Sequence, residues 1–177
     1  MSLIDSTYFV NEINLPEGTY NTIQAHIDRY EREILIQLLG YDLYKLIAAY
    51  DAGASEQRII DIVEGKEYRE GDYMVKWNGL INDELVSILS YYVFIKYLEN
   101  NTASFVNTAV VVPGAENGEV LSPAGLIQRA SGLLSELAGY PGQSIYTGSL
   151  YNFMVAHQSD YPEWLFDEYK TVNMFGI

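Results

Sequence analysis

The stretch "LINDELVSILSYYVFIKYL", residues 80–98, decides the fold class. Ile81, Leu85, Ile88, Tyr92 and Ile95 recur at alternating steps of four and three, which is one face of a helix. In the second half Tyr91, Val93, Phe94 and Leu98 cover the remaining faces as well. A helix apolar all round is surrounded, by its own domain or by a neighbouring subunit. The reading is a helix about 30 Å long from Leu80 to Leu98. Burying its apolar side chains is worth on the order of 10–20 kcal/mol before chain entropy is charged. This helix is the expected core.

Upstream, Ile23, Ile27, Tyr30, Ile34 and Leu38 form the stripe of a helix from about Tyr20 to Leu39. Asp28–Arg32 and Arg29–Glu33 are spaced for ion pairs on its outer side. Gly40 follows, where a residue without Cβ most easily takes a left-handed cap, and a second helix resumes at Tyr41 with Leu43, Leu46 and Ile47. A phosphate-cradling loop needs several glycines or a Lys-Ser/Thr pair, and neither is present, so Gly40 reads as a helix corner. Ser55 is placed to cap a short helix bearing Ile59, Ile60, Ile62 and Val63. The stretch "EGKEYREGDYMVKWNG", residues 64–79, is charged and glycine-bearing and reads as a surface loop, with 65–79 the one plausible hinge. Its acids lack the spacing of a calcium loop. Trp77, just ahead of the long helix, is placed to staple the helix entry.

Downstream the period changes. "SFVNTAVVVP" is β-branched and extended, "GAENG" supplies turn residues and "EVL" is a short return strand. So short a hairpin is marginal alone and leans on the domain or on another copy. Ser122-Pro123 starts a helix that carries Leu126, Ile127, Leu133, Leu134 and Leu137 and ends near Gly139. A last helix, from about Ser144 to Gln158, presents Tyr146, Leu150, Phe153 and His157. The tail from Tyr161 is aromatic and apolar to its end, which suggests docking. The expected fold is mainly α. Residues 1–177 are read as one helical-bundle domain around a long central helix, with a short β-hairpin or extended excursion near 103–121.

The totals narrow the function classes. A chain of 177 residues buries roughly 70% of its unfolded surface without staples. It has no cysteine, which excludes thiol catalysis, iron–sulfur clusters and disulfide scaffolds. A net charge of −14, with ten Lys and Arg scattered singly, argues against direct nucleic-acid binding. No basic region precedes an apolar stretch at "MSLIDSTYFV", and "YYVFI" is far short of the ~20 residues that span a bilayer. A soluble protein with no membrane contact is expected. Sixteen tyrosines suit half-buried positions and interfaces.

Catalytic signatures are missing: no G-x-S-x-G, Walker loop, G-x-G-x-x-G or H-E-x-x-H occurs. His26 and His157 lie beside or on core stripes and read as packing residues. Glu31 and Glu33, two apart on a helix, point away from each other. Trp77 and Trp164 read as structural. No catalytic, metal or cofactor residue is assigned.

The stretches "YEREILIQLLGYDLYKLI" (30–47), "KWNGLINDELVSILSYYVFIKYLENNT" (76–102) and "VNMFGI" (172–177), in that order and spacing, resemble the small helical head–tail connectors of tailed phages and prophages, in particular those of phages of Bacteroidetes-type gut bacteria. The resemblance implies a non-enzymatic building block without cofactors. It implies a ring of self-associated copies, with portal and tail proteins as partners. Its place would be the virion, and the host cytoplasm during assembly. The interface candidates are Val110, Val111 and Val112 on the extended segment and Phe175 and Ile177 at the tail; each could equally be buried within its own chain. The competing class is a small carbohydrate-type binding domain or an enzyme, using Tyr and Trp platforms and distant carboxylates.

Overall fold

The computed structural model describes residues 2–15, 20–105, 110–111 and 120–165. The stripe of α1 (Tyr20–Leu39) is realised: Ile23, Ile27, Tyr30, Ile34 and Leu38 are all buried. The expected ion pairs along its outer side give way to other contacts. Asp28 accepts from the Ser2 hydroxyl at 2.7 Å and from Gln24 at 2.9 Å, and Glu33 accepts from the Tyr92 phenol at 2.5 Å. Arg29 and Arg32 lie over the rings of Tyr30 and Tyr44.

Gly40 is the corner. Its φ of 82° is open to glycine, and its N–H donates to Ile36 O at 2.9 Å while its own carbonyl accepts from Tyr44 N at 3.0 Å. Two helices thus meet with no intervening loop, and α2 (Tyr41–Ala48) buries Leu43 and Ile47. Ser55 does not cap the next helix. Its hydroxyl accepts from Asp51 N–H at 2.8 Å and closes a turn, while α3 (Gln57–Glu64) starts two residues later.

Residues 66–77 are not a loop. β1 (Lys66–Glu70) and β2 (Tyr73–Trp77) pair antiparallel from Lys66↔Trp77 to Glu70↔Tyr73. The two-residue Gly71-Asp72 connection, with Gly71 at φ 59°, suits a tight hairpin. Tyr68, Val75 and Trp77 turn inward, and the Trp77 indole N–H donates to Ile62 O at 2.9 Å. The hinge reading is therefore replaced by a hairpin fastened to α3.

The core helix is displaced from its expected span. α4 runs Ile88–Phe105, and the chain from Ser87 back to Leu80 is turn. Local side chains explain this. The Asn82 carboxamide brackets Val86, donating to its carbonyl at 2.7 Å and accepting from its N–H at 3.2 Å. Ser87 accepts from Leu89 N–H at 3.1 Å and donates to Leu80 O at 2.6 Å. From Ile88 to Leu98 every residue but Lys96 is buried. That burial fits the packing of α4 against both α1 and α5.

β3 (Val110–Val111) and β4 (Val120–Leu121) pair within the chain, Val110↔Leu121 and Val111↔Val120. Ser122 then caps α5 (Pro123–Ala138), accepting from Gly125 N–H at 3.2 Å, and Gly139 ends it. The expected last helix is split at Gly148, which is left-handed. Ile145–Thr147 forms a 3-10 turn and α6 (Leu150–Ala156) follows under a Ser149 cap. Leu150 and Phe153 are buried as the stripe predicts, whereas Tyr146 is exposed. The protein is mostly helical with small antiparallel strand pairs. Among the described residues, no helix is long and apolar enough to cross a membrane.

Candidate functional site

A concavity of about 690 Å³ lies where the end of α3, the base of β2 and the 81–85 turn converge under Tyr8. Two glycines make the convergence possible. A Cβ on Gly65 would stand 2.5 Å from Trp77 O, and one on Gly79 would stand 2.5 Å from the Glu64 carbonyl carbon. Both have positive φ, so the chain crosses itself there at backbone contact. Asn82 holds Leu85 at φ 57°, a left-handed conformation that costs a leucine about 1–2 kcal/mol. The turn thereby presents Asp83 and Glu84 at the rim above half-buried Ile81 and Leu85. Lys76 and Asn78 form the opposite wall.

Tyr8 fastens the roof. Its hydroxyl accepts from Asn82 N–H at 3.1 Å and donates to Asn82 O at 3.4 Å. Burial pushes this phenol up, and Asp5 and Asp83 add to the rise. Glu64, at the floor's edge, accepts from the Tyr50 phenol, whose pKa rises to about 12 through burial first and the Glu64 bond second. Asp83, Glu84 and Lys76 make no ion pair among the described residues. The cleft therefore offers charge of both signs over a small apolar floor. Among the described residues no three His, Asp or Glu side chains converge to hold a metal.

The interface candidates are placed unevenly. Val110 and Val111 lie on β3, paired with Leu121 and Val120 of the same chain. Val112, Phe175 and Ile177 lie outside the described residues. Both tryptophans are engaged inward: Trp77 is buried and stacks on Phe153, and the half-buried Trp164 donates to Leu38 O at 3.1 Å. His26 packs against Tyr30 and Tyr97, and His157 against Tyr68 and Phe153. Some of the large exposed apolar groups gather at the β1–β2 tip, while others, such as Tyr41 and Leu165, stand elsewhere. Tyr73 and Met74 are 54% and 69% exposed, and Tyr73 meets the exposed Tyr146 edge-on at 4.9 Å.

Sequence reading missed the cleft. Its only signals were the turn formers Asn82 and Ser87 inside an apolar period, and the glycines at 65 and 79 flanking a charged run.

Fold and cleft together define a mostly helical protein with a small antiparallel hairpin and a polar groove at its base. The chain belongs to a protein family of unknown function (DUF6712), which it matches over residues 35–174. No curated protein and no solved structure matches it.

Proposed function

We propose that this chain is a structural virion protein: a head–tail connector, built as one helical-bundle domain around α4, that assembles as a ring between portal and tail. The observation that carries the reading is that the two longest stretches of the resemblance, 30–47 and 76–102, are bonded into one unit. Asn100 donates to the Tyr30 phenol at 2.7 Å, the Tyr92 phenol donates to Glu33 at 2.5 Å, and the Tyr30 and Tyr92 rings meet edge-on at 6.5 Å. A resemblance carried by two stretches that fold onto each other is stronger support than either helix corner alone. The two-pair β3–β4 ladder adds to it, being marginal in isolation and suited to lean on a neighbour.

On this reading the protein has no catalytic residue and no cofactor. It acts in the virion and, during assembly, in the host cytoplasm. Its net charge of −14 suits a channel lining that repels phosphate and lets DNA slide. The carbohydrate-type alternative draws less support, because both indoles it would use as platforms donate inward to backbone carbonyls.

The test is co-expression with portal and tail proteins of a tailed phage that carries this family, read by electron microscopy and light scattering across a wide dilution range. Rings that bind portal are expected, and deleting residues 172–177 is expected to weaken self-association. Particles that neither form rings nor bind portal or tail proteins overturn the reading.

A further inference from the structure

The core helix has two competing starts. In this structure α4 begins at Ile88 under Ser87, whose hydroxyl accepts from Leu89 N–H at 3.1 Å. Upstream, Asn82-Asp83-Glu84 has the composition of a helix start in its own right, a cap former followed by two acids for the positive end of a helix. The helical period runs through the stretch between them, because Leu85 shares one stripe with Ile88 and Tyr92. Part of a helical turn is already made there. Leu85 N–H donates to Asn82 O at 3.2 Å, and Asn82 and Val86 are in hydrogen-bond contact at i,i+4 spacing. What interrupts the helix is Leu85 at φ 57°, a conformation that a leucine keeps only when it is held there.

Three side chains hold it. The Asn82 carboxamide is spent on both backbone groups of Val86, and Ser87 donates to Leu80 O at 2.6 Å. Tyr8 grips Asn82 by its N–H and its carbonyl, from the N-terminal segment. That segment is anchored independently of the Tyr8 hydroxyl. Ile4, Phe9 and Ile13 are buried, Leu3 and Ile4 N–H donate to Glu31, and Glu12 accepts from the Tyr91 phenol. Tyr8 is therefore a latch on a fixed strap.

We propose that residues 82–87 are a two-state switch latched by Tyr8. Latched, they form the turn that puts Asp83 and Glu84 at the rim of the cleft. When the latch opens, Leu85 returns to helical φ, Asn82 replaces Ser87 as the cap, and residues 83–87 join α4, lengthening it by about 7.5 Å. The pivot lies just before Asn82, since Leu80 and Ile81 are tied to α3 through Ile62 O and Val63 O. Asp83 and Glu84 leave the rim for the first turn of the longer helix, so the cleft in its present form belongs to the latched state alone. A partner that binds those two acids at the rim keeps α4 short, and one that draws Tyr8 away lengthens it.

Backbone NMR of the free chain, with relaxation dispersion to resolve sparsely populated states, reads the switch without any ring assembly. Tyr8→Phe removes both bonds to Asn82 and keeps the ring in place. It should raise the population of the helical form about tenfold over the wild type, with Cα shifts at residues 83–87 in the helical range. Asn82→Asp reaches the same state from the other side. An aspartate still caps a helix but has no N–H for Val86 O, so a rise of about the same size is expected. Adding Leu85→Gly to either variant should lower the helical population again by about fivefold, because glycine takes φ 57° freely and weakens a helix. No exchange at 82–88 in either variant, a second state whose shifts at 83–87 are not helical, or a population that Leu85→Gly leaves unchanged overturns the switch.

Discussion

Glu31 shows how a residue's role depends on a partner far along the chain. The residue is 7% exposed, and its carboxylate accepts from Leu3 N–H at 3.0 Å and Ile4 N–H at 3.3 Å, tying the N-terminal segment to α1. Burial raises its pKa above the ordinary 4.5, against the lowering effect of those two bonds. A carboxyl raised on folding binds more protons in the native than in the unfolded state over the window from 4.5 upward. Its contribution to stability is complete below 4.5 and is lost as pH rises through the folded value. Glu31→Gln is therefore expected to change stability by less than about 1 kcal/mol at pH 7 and to remove the gain expected as pH falls from 7 to 4.5. Glu31→Ala leaves the buried Ile4 N–H and the part-buried Leu3 N–H without this partner and should cost about 2–3 kcal/mol. Urea unfolding midpoints at the two pH values check both, and an unchanged pH response in Glu31→Gln would remove this carboxyl from the account. Sequence showed only that Glu31 and Glu33 diverge on a helix, because Leu3 and Ile4 offer backbone groups that no side-chain pattern marks. Gly40 and Ser122 were legible for the opposite reason: a corner and a cap are settled by neighbours a few residues away.

At the scale of elements the same distinction holds. α1, α2 and α5 were readable from period and caps, since each buries one stripe and starts or stops on a local signal. The β1–β2 hairpin was not, because "KEYRE" holds one apolar residue and its inward alternation appears only when Tyr68 is set beside Val75 and Trp77. The start of α4 was misjudged by a period that ran on through 80–87, where Asn82 and Ser87 bond the backbone into a turn instead. What fastens the hairpin is the crossing at Gly65 and Gly79, and alanine substitutions separate that contact from simple strain. Gly79 has φ 88° and would place a Cβ 2.5 Å from backbone, whereas Gly71 has φ 59° and nothing within 4 Å. Gly71→Ala is expected to cost about 1 kcal/mol from the left-handed backbone alone. Gly79→Ala should cost about 3 kcal/mol or more, since α3 and β2 must also part. Equal thermal shifts for the two variants would mean that the crossing yields without penalty.

Across the whole molecule, the abundance of tyrosine finds its explanation in ties between distant segments. The Tyr91 phenol donates to Glu12, Tyr92 to Glu33, Tyr161 to Arg58 O and Tyr8 to Asn82 O. Each ring is packed in or against the core while its hydroxyl fastens a separate piece of chain, the dual use to which this side chain is suited. Composition announced the excess, but which partner each phenol takes depends on contacts dozens of residues apart. Burial is the first cause that raises Tyr68 to about 12, with Glu70 adding to it, and Tyr50 also rises to about 12. Tyr91 and Tyr161 are raised further still, again by burial first. For such a group the native state keeps its proton while the unfolded chain, at a phenol's ordinary 10.0, gives it up. The stabilisation is complete below pH 10 and is lost as pH climbs through 12. Titration with alkali should therefore show a late class of tyrosine: Tyr50, Tyr68, Tyr91 and Tyr161 ionise together, in one cooperative step that coincides with loss of helical circular dichroism. If all sixteen phenolates instead appear in a single reversible phase near pH 10, with helicity retained beyond it, the phenols do not hold these segments together.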